Sequence, residues 1–203
     1  MKQSKIGITG SIASGKSVLT AYLYGLGFPV IDADAVARDL VRPGSEMVKK
    51  IAETFGEAML LADGTLNREK MAECVFTDEK ARRRLNGLMH PAIVRTMLDL
   101  SKDLNGVVFF DVPLLFEEWD ALKADGLDFD AVWLVDAEEE VQLSRLMARD
   151  RIDAAYARKK IASQMPLSEK KKSADVIFDN SGDLMHLYVQ VDKALEEWCS
   201  EKM

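Results

Sequence analysis

The sequence predicts an α/β fold, an open sheet of five parallel strands with helices between them and one helical insertion. Three observations predict it. A strand, a glycine-bearing loop, a helix and a second strand follow one another within the first 34 residues, the span of a βαβ unit with parallel strands. Three later apolar runs, at 107–111, 131–135 and 175–178, are uninterrupted, as strands buried on both faces are. Between the second and third strands, residues 35–104 carry helical periodicity and one turn signal, Asp63-Gly64.

Taken in order, Ile6-Gly7-Ile8-Thr9 is the first strand, ending at Gly10. Val18, Leu19, Tyr22, Leu23 and Leu26 then recur at helical spacing until Gly25 and Gly27 stop the helix. Phe28-Pro29-Val30-Ile31 is the second strand, closed by Asp32 and Asp34. The insertion has a short hairpin near Met59-Leu60-Leu61 as its one strand candidate, and 79–104 reads as one long helix or a pair broken at His90-Pro91. Helices are predicted at 138–149, 154–164 and 182–202 after the later strands. Such sheets collect ligands at the carboxyl ends of their strands, where Gly10, Asp32, Asp34 and Asp111 fall.

The bulk numbers narrow the class. With 203 residues, 48% apolar and 30% charged, the chain has the composition of a globular domain, without repeats or low-complexity tracts. A net charge of −7 argues against a general affinity for nucleic acid or anionic membrane, so basic groups that serve a polyanion must be gathered locally. The uncharged run 17–31 is broken by Gly25, Gly27 and Pro29 and is no membrane span. Cys74 and Cys199 match no metal spacing and read as buried free thiols. With no signal-peptide core behind Met1-Lys2-Gln3-Ser4-Lys5, these features predict a cytoplasmic protein.

Gly10-Ser11-Ile12-Ala13-Ser14-Gly15-Lys16-Ser17 matches the phosphate-loop pattern G-x-x-x-x-G-K-[ST] in full, with a strand before it and a helix after it. Glycines let the backbone curl around phosphate with its N–H groups inward, and the following helix adds its positive end. Lys16 reaches the β- and γ-phosphates, and the Ser17 hydroxyl ligates Mg²⁺. The fold is thereby that of a P-loop NTPase, three-layered, with ATP as the ligand of residues 10–18, Val18 included.

The acidic groups separate a kinase from a protein that only binds nucleotide. Asp32 and Asp34 share one face if the chain stays extended, so one accepts the proton of an attacking hydroxyl while the other orients it, unless both only cap the next helix. Asp34 is the preferred base. Asp111 ends its apolar strand as a Walker-B aspartate does, placing it on Mg²⁺. In the run Val112-Pro113-Leu114-Leu115-Phe116-Glu117, Leu114 and Leu115 are expected to be buried and Phe116 to line a pocket. Arg145 and Arg149, four apart, share a helix face, which is either solvated or the phosphate-closing face of a lid. Lys170-Lys171-Lys172 reads as a solvated run.

The chain resembles the dephospho-CoA kinases over essentially its whole length. The resemblance runs through the phosphate loop, Ile31-Asp32-Ala33-Asp34, Val41-x-Pro43-Gly44, and Asp63-Gly64-x-Leu66-x-Arg68 leading to Val75-Phe76. It continues through His90-Pro91, Asp111 to Glu117, and Gln142-x-x-Arg145-Leu146-x-x-Arg149-Asp150. Gln164-Met165-Pro166, Ala174-Asp175 and Asp179-Asn180-Ser181-Gly182 complete it. It implies ATP-dependent phosphorylation of the dephospho-CoA ribose 3′-hydroxyl, the last step of coenzyme A biosynthesis, with Mg²⁺ as cofactor and no obligate protein partner. It implies a nucleotide-binding core (1–34, 105–137, 165–203), a helical acceptor-binding domain (35–104) and a lid (138–164). Asn180 would lie near adenine, Arg145 and Arg149 on the phosphates, and Arg68, His90 and Phe116 with Asp32 and Asp34 on the acceptor side. The family's loop usually reads Gly-Gly-Ile-Gly-Ser-Gly-Lys-Ser, so a positive φ at Ser11 or Ala13 would strain this one. Arg151-Ile152 likewise stands where the family often has Gly-Leu.

Overall fold

The computed structural model describes residues 3–202, which form two compact units. The first comprises residues up to Ile31, Leu104–Trp119 and the chain from Asp128 onward. The second comprises Asp32–Asp103 and Asp120–Leu127.

The first unit is built on the strands β1 (Ser4–Gly10), β2 (Val30–Asp32), β3 (Val107–Asp111), β4 (Ala131–Asp136) and β5 (Val176–Asp179), in the order β2-β3-β1-β4-β5. β1 is central and runs parallel to β3 and β4, with Ile8 opposite Asp111 and Gly10 opposite Val135. The runs at 107–111 and 131–135 became strands because helices cover both faces, and Ile6, Ile8, Phe109 and Trp133 have no exposure. The run at 175–178 is not buried on both faces, because β5 is an edge strand that leaves Ile177 42% exposed. Trp133 packs its ring 5.1 Å from Phe109 and 5.0 Å from Phe178. Onto this core fold Leu19 and Leu23 of α1 (Lys16–Gly25) and Leu187 and Val191 of α10 (Leu184–Lys202).

The strand order positions the site. The chain leaves β1 toward β2 on one side, and leaves β3 toward β4 on the other. The loops after β1 and β3 therefore diverge and open a crevice at the strand ends, the switch point where ligands of doubly wound sheets bind.

The second unit packs α2 (Ala33–Leu40), α3 (Glu46–Phe55), α4 (Arg68–Thr77) and α5 (Glu79–Ser101) around Val41, Met47, Val48, Ile51, Met59 and Met71. α5 runs through Pro91 without a break, so the predicted alternative of two helices does not hold. Proline removes one helical bond at about 3 kcal/mol, which burial of Ala81, Val94 and Met97 along the same helix opposes. The expected hairpin near Met59 is a 3₁₀ turn, Glu57–Met59, followed by a single antiparallel bridge between Leu60 and Leu66.

Several expectations about individual residues are corrected. Asp32 ends β2, but Asp34 does not share an extended strand with it, because α2 begins at Ala33. Leu115 is buried, but Leu114 is 40% exposed. Cys74 and Cys199 are free thiols, as expected, yet half-buried. Lys170 is not a solvated lysine: it has no exposure and pairs at 2.8 Å with Glu117 of the 112–117 loop. A lysine run looks solvated by composition, whereas Lys170 sits in α9 (Leu167–Ser173), a short helix missed by sequence along with α6 (Trp119–Ala124). Both are too short to show a helical period.

Two helices of the first unit, α7 (Glu139–Asp150) and α8 (Ala154–Ala162), meet through Leu143, Leu146 and Ala157. Arg151 ends α7 in the left-handed region, with φ 55° and ψ 47°. That conformation suits glycine and costs other L-residues about 1–2 kcal/mol. Arg151→Gly is expected to raise stability by roughly 0.5–1 kcal/mol, or about 2 °C in Tm, after the entropy of a freer unfolded chain. An unchanged or lowered melting temperature would show that the arginine side chain compensates for its own backbone.

Candidate active site

The phosphate loop folds as its residue types require. Gly15 takes φ 90° at the start of α1, and Gly10 lies so close to β4 that a Cβ there would stand 2.9 Å from the Val135 carbonyl oxygen. The strain anticipated at one of the replaced glycines is present at Ala13, whose φ is +58°. Its methyl, with the Ile12 side chain, packs against the α7–α8 cluster.

Four groups fasten the loop from outside it. The Ile12 N–H donates to Gln164 Oε1 at 2.7 Å, and Asn180 Nδ2 donates to the Ser14 carbonyl at 2.7 Å. Arg145 Nη1 approaches the same carbonyl at 3.5 Å. Lys16 Nζ pairs with the Asp111 carboxylate across the crevice between β1 and β3. With this partner, the Lys16 side chain is only 19% exposed.

Of the predicted nucleotide-side residues, the fold brings together Ser11, Ile12, Ala13, Ser14, Gly15, Lys16, Asp111, Arg145 and Asn180. Ser17 is exposed on the first turn of α1. Val18 donates its N–H to Gly15 at 2.9 Å and packs its side chain on the sheet core. Arg149 turns to Asp150 at 2.8 Å; with Lys160 it holds that carboxyl down to about 2. Gln164 carried no role in the sequence beyond its place in a motif. No local signal marks a glutamine as a backbone acceptor, because its partner is 152 residues away.

Asp111 and Ser17 suit a hard cation that arrives with phosphate: one carboxylate beside the loop lysine and one hydroxyl on the loop's helix. Among the described residues, no cluster of three or more acidic, histidine or cysteine side chains forms a metal cage.

The second unit holds a cavity of about 280 Å³. Its mouth carries Asp34, Arg38 and Arg68; its apolar lining includes Val41, Ile51, Leu66, Met71, Leu85 and Met89. Asp34 is free to face it because Asp32 is the helix cap: Asp32 Oδ1 accepts from the N–H groups of Asp34 at 2.8 Å and Ala35 at 3.1 Å. Asp34 and Arg38 are four apart on α2 and so share a face. Sequence reasoning missed Arg38, although that spacing was its available signal. Asp32 and His90 are not among the cavity-lining residues. Phe116, half-buried in the first unit, lies 6.2 Å from the Trp119 ring.

A dephospho-CoA kinase family profile matches residues 4–186. The chain belongs to the dephospho-CoA kinase family. The Shouchella clausii dephospho-CoA kinase is 42% identical over 201 residues, covering 97% of this chain and 100% of that one. A Thermus thermophilus crystal structure superposes with a TM-score of 0.81 at 32% identity, over 97% of this chain and 98% of its own. The Campylobacter jejuni dephospho-CoA kinase gives 0.72 at 27% identity, over 99% and 100%. The family catalyses ATP-dependent phosphorylation of dephospho-CoA, the last step of coenzyme A biosynthesis, and this transferase activity agrees with the complete phosphate loop. Among the described residues, no helix is long and apolar enough to cross a membrane.

Proposed function

We propose that this chain transfers the terminal phosphoryl group of ATP to the ribose 3′-hydroxyl of dephospho-CoA, with Asp34 as the base. The observation that carries the reading is a single cavity that combines a carboxylate, two arginines and an apolar lining. Dephospho-CoA has matching parts: a diphosphate suited to Arg38 and Arg68, an extended arm suited to the apolar lining, and a hydroxyl that needs a proton acceptor. The 35–104 region is then the acceptor domain, with His90, Phe116 and Asp32 as further acceptor-side residues.

In the reaction the 3′-oxygen forms a bond to the γ-phosphorus as the bond from that phosphorus to the β-bridging oxygen breaks. Asp34 takes the hydroxyl proton, and ADP leaves. Lys16 exchanges its Asp111 partner for phosphate oxygens, while the backbone N–H groups of the loop hold the rest of the triphosphate. Arg145, already against the loop, and Arg149, one turn on, steady the charge on the transferring group as the lid at 138–164 closes. Ser17 and Asp111 would hold Mg²⁺, which would supply charge neutralisation of the phosphates. Asn180 and the adenine belong to the same end of the sheet. Free thiols at Cys74 and Cys199 support a cytoplasmic location.

The test is ADP release from ATP and Mg²⁺ with and without dephospho-CoA. The expected result is acceptor-dependent ADP with a new 3′-phosphate on the acceptor. Acceptor-independent hydrolysis alone would point to a nucleotide-driven switch, and activity confined to another hydroxyl acceptor would reassign the second unit's cavity.

A further inference from the structure

We propose that Asn180 is a positioning residue for phosphoryl transfer, acting through the Ser14–Gly15 peptide to aim the Gly15 N–H into the phosphate cradle. The proposal rests on the reading of residues 10–17 as the ATP site and does not depend on the acceptor.

Asn180 follows β5 and is 1% exposed. Its own N–H donates to the Asp136 carbonyl at the end of β4 at 2.9 Å, which ties its backbone to the sheet. Its side-chain Nδ2 reaches the Ser14 carbonyl at 2.7 Å, the shortest restraint on that side of the loop. In a planar trans peptide the carbonyl and the following N–H point in opposite directions. Holding the Ser14 oxygen toward β5 therefore turns the Gly15 N–H the other way, into the hollow of the loop. A donor fixed before the ligand arrives avoids reorganisation when phosphate binds.

Gly15 is shaped by the same contact. A Cβ on Gly15 would fall well inside contact distance of Asn180 Nδ2, in addition to the strain of φ 90°. The glycine of the motif is thus needed here both for its backbone angle and to admit the amide that braces it. No adenine contact has to be invoked for the Nδ2 group, because the loop carbonyl uses it.

The experiment measures pyrophosphate and ATP binding by calorimetry, together with Tm and steady-state kinetics, for the full chain and for Asn180→Asp and Asn180→Ala. The isosteric carboxylate keeps the volume but, when ionised, sets an acceptor against the Ser14 carbonyl. Losing one aligned donor to a charged phosphate should weaken pyrophosphate and ATP binding roughly 10- to 100-fold in both variants. KM for dephospho-CoA should stay within about twofold at saturating ATP, a split that general destabilisation would not produce. A folded variant with normal pyrophosphate affinity would overturn the proposal, whatever its melting temperature. Should both variants fail to fold, uniformly ¹⁵N-labelled wild-type protein decides it: the Gly15 amide proton must shift on pyrophosphate addition, and an unmoved Gly15 signal beside other shifting loop amides would equally overturn it.

Discussion

Asp34→Asn is expected to lower turnover about 10²–10⁴-fold, the contribution of a positioned general base, while ATP affinity stays nearly unchanged. The structure separates this effect from helix capping. Asp32 provides the cap of α2 through two backbone N–H groups, and Asp34 stands exposed in the first turn with its carboxylate at the cavity mouth. Removing the Asp34 charge forfeits only its interaction with the helix N-terminus, about 0.3–1 kcal/mol. Asp32→Ala should show the opposite profile, losing about 0.5–2 kcal/mol of stability with a smaller loss of turnover. Asp32→Asn keeps the cap and should change little in either respect. Kinetics and thermal melts on the three variants decide the matter. Normal turnover by Asp34→Asn would move the search for the base to Asp32 or Asp111.

Lys16→Ala is expected to reduce turnover by at least 10²–10³-fold, since it removes a preorganised charge on the transferring phosphoryl group. The ion pair with Asp111 adds a second consequence. Asp111 is 8% exposed, and the substitution takes this cation away from a nearly buried carboxylate, so the ligand-free protein should also melt earlier. ATP and Mg²⁺ should restore part of that stability, because the cation re-occupies the carboxylate's surroundings. Circular dichroism in the absence and presence of the nucleotide, alongside the assay, checks both parts. A folded Lys16→Ala protein that phosphorylates acceptor at the normal rate would remove Lys16 from the mechanism.

The site was unevenly legible. The loop from Gly10 to Ser17 could be read because its function depends on backbone curvature and one lysine, and those requirements are local in sequence. The apolar strands at 107–111 and 131–135 were legible for a related reason: burial on both faces leaves an uninterrupted run. Arg38 was missed although it lies one helical turn beyond Asp34, because a helix starting only at Ala35 would not place the two on one face. Lys170 was misjudged because composition alone cannot tell a solvated lysine from one that meets Glu117 across 53 residues of chain. Two residues that stand where the family often has glycine, Ala13 and Arg151, are left-handed, whereas Ser11, a third such position, is not, and only the structure distinguishes them.

By itself, then, the sequence determined the parallel α/β class, the phosphate loop and, through an ordered series of motifs, the kinase family. Each of these is written in contiguous residues whose spacing carries the physics. Only the tertiary structure decided which aspartate caps α2, what Lys16 holds before ATP arrives, and what braces the loop from behind. Those are contacts between segments 95 to 166 residues apart, or choices between neighbours with the same side chain. They depend on which strand ends the folded sheet brings together, and periodicity along the chain contains no record of that.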